Sequence, residues 1–158
     1  MSLATQLTPD QSEQLIFSSL VSGGIPQTLA QLVAAQSGHE TAGWTSNVYL
    51  TDNNAFGYGY NGTSYKVYAA VEDSAADLVG YLNRRVADGS FPPLDQITTP
   101  DQYAALLKQA GYYSDTETNY LNGLENWLND NLGTVAVVAG GSGLIIVLVL
   151  LALAFWKK

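Results

Sequence analysis

Apolar positions along the chain recur mostly at three- and four-residue intervals, the period of helices that bury one face. Thr8-Pro9-Asp10-Gln11 reads as a capping box with proline at the first helical position, opening a helix to about Leu20 that Gly23-Gly24 ends. Ile25-Pro26 restarts the chain, and Leu29, Leu32, Val33 and Gln36 mark a second helix reaching about Ala42, with Gly43 as its left-handed cap. A third helix is expected from Ser74 to Val86, burying Leu78, Tyr81, Leu82 and Val86. Thr99-Pro100-Asp101-Gln102 repeats the capping pattern and opens a helix through Leu106-Leu107 that Gly111 closes. The last amphipathic helix runs from about Glu117 to Leu132 on Tyr120, Leu124 and Trp127. Between the second and third helices the pattern changes. Tyr58-Gly59-Tyr60 and Tyr65-Lys66-Val67-Tyr68 flank Asn61-Gly62, which predicts a short β-hairpin. The segments Asp52-Asn53-Asn54 and Asp88 to Thr99 read as loops.

One stretch departs from amphipathic patterning altogether. Thr134 to Trp156 carries no charged side chain and is followed by Lys157-Lys158. As a helix it spans about 34 Å, enough for a bilayer core of roughly 30 Å. A single-pass transmembrane anchor over 133–158 is therefore expected. Glu125 and Asp130 precede the span and the two lysines follow it, so the positive-inside tendency places Lys158 in the cytoplasm. Ala136 and Gly140, and Ala139 and Gly143, have the small-xxx-small spacing that permits a helix–helix partner in the membrane. Leu15 to Val21 is too short and too polar for an export signal. The expected location is thus a lipid bilayer of the cell envelope or of a virus particle. Three regions follow: residues 1–24 as an N-terminal helix and turn, 25–132 as the working domain, and 133–158 as the anchor.

Charge and composition narrow the function. The net charge of −8, with only six lysines and arginines, argues against a nucleic acid partner. The absence of cysteine excludes disulfides and thiolate metal sites, and a single histidine leaves no metal centre or cofactor to expect.

Between Gln14 and Thr51 the one formally charged side chain is Glu40, at the end of an apolar helical run. Low dielectric and the negative end of the helix dipole both favour its protonated form. A carboxyl kept protonated near neutral pH is suited to act as a general acid. His39 points about 100° away around the helix and is expected to stand outside that role.

The residues around Glu40 resemble a known family. Ala35-Gln36, then Glu40, then Gly43-Trp44 looks like the catalytic helix of the bacterial and phage glucosaminidases. Asn53-Asn54-Ala55-Phe56-Gly57 is similar to that family's Asn-Leu-Phe-Gly motif, with Ala55 in place of leucine. Ala110-Gly111-Tyr112, followed by Asp115 and Tyr120, is similar to its Gly-Tyr-Ala-Thr-Asp closing segment. His39-Glu40-Thr41 also resembles the catalytic segment of lysozyme-like chitinases. The resemblance covers about residues 25 to 131. It implies a mainly helical, lysozyme-like α+β fold with a small hairpin lobe, and cleavage of peptidoglycan glycan strands with Glu40 as the acid.

In that family a second carboxylate usually comes from the hairpin, but Phe56 to Val71 contains no acid. Asp52 is the candidate, since it could face a cleft; Glu72 and Asp73 precede a helix and are read as capping acids. Sugar rings stack on aromatic faces. Trp44, Phe56, Tyr58, Tyr60, Tyr112 and Tyr113 are accordingly expected substrate-binding residues, and the resemblance adds Asn54 of the motif. The leading reading is an anchored endo-β-N-acetylglucosaminidase, in a bacterial envelope or as a virion-associated lysin. Two alternatives stand beside it: a lytic transglycosylase using the same acid, and a catalytically idle wall-binding or virion membrane protein.

Overall fold

The structure is a computed structural model in which residues 7–131 are described. It is built from helices α1 (Pro9–Ser22), α2 (Gln27–Glu40), α3 (Asn47–Asp52), α4 (Val71–Ala87), α5 (Pro100–Gln109) and α6 (Glu117–Asn131). A single 3-10 turn, Leu94–Gln96, lies between α4 and α5. The expected anchor at 133–158 lies outside the described residues. Among the described residues no helix is long and apolar enough to cross a membrane.

Both expected capping boxes form. Thr8 Oγ1 accepts from Gln11 N–H at 3.2 Å while Gln11 Oε1 accepts from Thr8 N–H at 2.9 Å, and Thr99 and Gln102 repeat the exchange. Glu72 and Asp73 fall in the first turn of α4, where Asp73 Oδ2 accepts the Ala70 N–H at 3.0 Å.

α2 is the central helix, packed by α1 on one side and α6 on another. Nearly every side chain from Leu29 to Gly38 is buried, with Ala30, Ala34 and Ala35 small enough for neighbouring helices to close in. α1 shares this core: Ile16 and Leu20 are fully buried with Leu29 and Val33. Each contributes roughly 2 kcal/mol relative to exposure, so α1 is integral to the fold.

The hairpin does not form; among the described residues there is no strand. The Asn61 side chain does make its turn, accepting from Thr63 N–H and Ser64 N–H at 3.0 Å each. The two arms, however, are joined by a side chain rather than a ladder. Asn54 Nδ2 donates to the carbonyls of Tyr58 and Lys66, both at 2.9 Å, while its Oδ1 accepts from Tyr58 N–H at 3.2 Å. The return arm is tied elsewhere, with Tyr68 N–H donating to Asp52 O and Asn53 Nδ2 to Tyr68 O. Backbone groups of Tyr58, Lys66 and Tyr68 that strand pairing would use are thus bonded elsewhere. The α+β expectation is corrected to a helical fold with one irregular loop.

Candidate active site

α2 ends at Glu40 and the chain turns sharply. Ala42, Gly43 and Trp44 all have positive φ, at 51°, 71° and 60°. For the two non-glycine residues this costs about 1–2 kcal/mol each. Buried contacts offset it: Trp44 Nε1 donates to Ser37 Oγ at 2.9 Å, Ser37 Oγ donates to Ala55 O at 2.7 Å, and Thr41 Oγ1 accepts the Trp44 N–H at 3.0 Å. The Trp44 ring meets Trp127 of α6 edge-on at 5.4 Å. A Cβ at Gly43 would stand 2.8 Å from the Trp127 ring, so only glycine admits this approach. The turn fixes the end of α2, and with it the Glu40 side chain.

Glu40 opens into a cleft of about 840 Å³. The α2 end, the loop at 56–60 with Tyr65, Tyr81 and Arg85 of α4, the α5–α6 connection and Tyr120 of α6 enclose it. Glu40 Oε1 accepts the Tyr120 hydroxyl proton at 2.8 Å. Oε2 is turned toward Gly57, where a Cβ would lie 3.9 Å from it. Burial raises the Glu40 pKa above the ordinary carboxylate value, and the Tyr120 hydrogen bond opposes that rise. Burial and the Glu40 charge together push the Tyr120 phenol far above its usual value, so it stays a donor.

Rings brace this pair. Tyr120 stacks on Tyr113 at 3.7 Å and meets His39 edge-on at 5.2 Å. Tyr112 stacks with Tyr58 at 6.3 Å, and Tyr81 contacts both. Several hydroxyls are committed to the backbone: Tyr112 to Phe56 O, Tyr113 to Ala104 O and Tyr60 to Gly62 O. What these side chains offer the cleft is ring surface.

A second carboxylate, Asp115, lines the same cleft. Its Oδ1 accepts from Thr116 N–H at 2.7 Å and Asn119 Nδ2 at 3.1 Å. Hydrogen bonds from Asn119 and Thr116 lower its pKa, so it is held ionised. The two carboxyls of the cleft are therefore pushed apart in acidity, the arrangement that divides acid from base roles. Burial also lowers the His39 pKa, against the opposing charge of Asp115. Among the described residues no cluster of His, Asp and Glu could hold a metal ion.

Of the expected site residues, Glu40, Phe56, Tyr58, Tyr60, Tyr112 and Tyr113 line the cleft. Asp52 does not: it sits at the end of α3, where its Oδ1 accepts from Thr51 and its carbonyl from Tyr68 N–H. Trp44 is buried beneath the α2 turn, and Asn54 is buried as the tie between the loop arms. The Phe56 ring is in the core, although its carbonyl anchors Tyr112. Tyr120 and Tyr81 had read only as helix-face or motif positions, and Asp115 only as part of the closing segment. Tyr65 reads from sequence only as a hairpin position, and Arg85 carries no signal there.

Residues 25–132 match the family model Glucosaminidase, described as mannosyl-glycoprotein endo-beta-N-acetylglucosaminidase. No curated protein and no solved structure matches the chain.

Proposed function

We propose a mechanism that starts from one fact: the chain belongs to the glucosaminidase family and is a glycosidase acting on peptidoglycan. The bond cleaved is the one following N-acetylglucosamine within the glycan strand, an endo-β-N-acetylglucosaminidase reaction. Glu40 is the acid. With Oε1 occupied by the Tyr120 hydroxyl, the acidic proton belongs on Oε2, the oxygen turned toward the Gly57 side of the cleft. It passes to the bridging oxygen as the bond to the anomeric carbon breaks, and the bonding electrons leave with that oxygen.

Asp115, ionised and facing the same cleft, takes the role that Asp52 is not placed to fill. It stabilises the cationic sugar and accepts the proton of the water that adds to the anomeric carbon; exchange with solvent then restores both carboxyls. The rings of Tyr58, Tyr60 and Tyr112 hold the sugar, while Tyr113, stacked on Tyr120, presents its edge. The observation that carries this reading is the half-buried Glu40 carboxyl held by Tyr120 at the wall of an open cleft.

Localisation is part of the proposal. α6 runs to Asn131 and the uncharged run begins at Thr134, so an anchor there would hold the cleft close to a bilayer of the envelope or of a virus particle.

Digestion of purified peptidoglycan by the full chain in detergent, with mass analysis of the products, tests the chemistry. New reducing N-acetylglucosamine ends are expected. Glu40→Gln should lower turnover by roughly 10²–10⁴, the usual contribution of a general acid. Asp115→Asn should lower it strongly, and Asp52→Asn should leave it unchanged. Anhydro ends with an active Asp115→Asn would replace this mechanism by transglycosylation, in which the substrate's own hydroxyl attacks. No release by the unaltered chain would favour an idle wall-binding protein.

A further inference from the structure

Arg85 has no part in the chemistry above, yet it lines the cleft. Its guanidinium lies over the Tyr81 ring at 5.0 Å, and Tyr81 contacts Tyr58 and Tyr112, two further rings of the same cleft. Arg85 thus joins the aromatic wall of the cleft that holds Glu40. Its ion pair is loose and exposed: Nη1 is 3.6 Å from Asp88 Oδ2, three residues along. Such a pair contributes little. The other described cations differ. Lys66 is bonded to Asp77 at 2.8 Å, Lys108 donates to the carbonyls of Ser114 and Asp115, and Arg84 is not among the cleft residues.

The polymer this enzyme acts on is anionic through its carboxylates, while the chain carries a net charge of −8 and the cleft an ionised Asp115. A guanidinium presents a rigid donor fork that matches a carboxylate, and Tyr81 holds its plane. We propose that Arg85 is a carboxylate-binding subsite of the cleft that selects acidic wall glycan over uncharged N-acetylglucosamine polymer. The carboxylate comes either from the stem peptide or, on peptide-free strands, from the lactyl group of the muramic acid. This inference rests on the glycosidase reading of the same cleft and is testable without turnover.

The test uses the full chain in detergent, in the Glu40→Gln background, titrated calorimetrically with four soluble ligands. These are peptide-bearing glycan fragments, amidase-stripped fragments, the stripped fragments after carbodiimide amidation of their carboxylates, and N-acetylglucosamine oligomers. Arg85→Gln is expected to weaken binding of the acidic fragments about tenfold, with Arg85→Lys recovering part of the loss. Binding of the amidated fragments and neutral oligomers should be unchanged. Loss confined to peptide-bearing fragments identifies the stem carboxylates; loss on stripped fragments identifies the lactyl group. Raised salt should erode the difference, since the contact is exposed. An equal loss on all four ligands, or none on any, overturns the proposal. Parallel digestion by the chain with Glu40 intact separates failure of this subsite from failure of the glycosidase reading. The Arg85 side chain can be changed without removing the helix end, because it is the Arg85 carbonyl that accepts from Phe91 N–H and Ser90 Oγ.

Discussion

A carboxyl at the C-terminal end of a helix meets the negative end of the dipole, and Glu40 adds burial to that disadvantage. Its protonated form is favoured, and the Tyr120 hydrogen bond moderates the effect by favouring the charged form. Removing that bond should therefore raise the Glu40 pKa further. For Tyr120→Phe the alkaline limb of the kcat/KM profile, where the acid loses its proton, is expected to move to higher pH. The plateau should fall between roughly tenfold and a hundredfold through misplacement of the acid. A fall with the limb unmoved would mean that Tyr120 is only a packing residue. Glu40 was legible in the sequence because it is a lone charge in an apolar stretch. Tyr120 was not, since a tyrosine on a helix face reads as core, and Asp115 was not, since an acid in a polar turn reads as a loop residue. Asn54 and Phe56 belong to a motif near the acid, which points to sugar contact, and Phe56 does line the cleft. Both also hold the loop that forms the cleft wall, Asn54 through its side chain and Phe56 through its carbonyl.

At the scale of elements, α6 comes close to α2 on both sides of the acid. Trp127 sits on Gly38 and Gly43, and the His39 ring sits on Gly123. A Cβ at Gly123 would be 2.3 Å from His39 Cε1, so His39 would have to move, and with it the ring it meets on Tyr120. Gly123→Ala is expected to destabilise the fold by about 1–3 kcal/mol, as overpacking does, and to lower activity at temperatures where the protein is still folded. Denaturant unfolding and peptidoglycan turnover check both parts. Unchanged stability would show that α6 need not approach this closely. Helices with capping boxes or a clear stripe were legible: α1, α2, α4, α5 and α6. α3 was missed because six residues are too few to show a period, although Ser46 caps it through Tyr49 N–H. The hairpin was expected from a strong local turn signal. A turn signal fixes the turn alone, and Asn54, seven residues before Asn61, decided how the arms were tied.

For the molecule as a whole, the mainly helical class could be read from sequence, as could the lone carboxyl of Glu40 at a helix end, whereas the cleft could not. Its walls come from residues as far apart as Glu40 and Tyr120, which only packing brings together. All these elements converge on one effect, the dehydration of a single carboxyl. Bulk stability-versus-pH curves would mix it with Glu13 of α1, whose burial, reinforced by Asp10, pushes its pKa up to about 7. Both groups act with the same sign: their contribution to stability is full below the ordinary glutamate pKa and is lost as pH rises through the folded value. The most direct measurement is therefore a residue-resolved carbon NMR titration of the Glu40 carboxyl in the folded protein. A midpoint above that of an ordinary glutamate is predicted; a midpoint at the ordinary value would contradict the account.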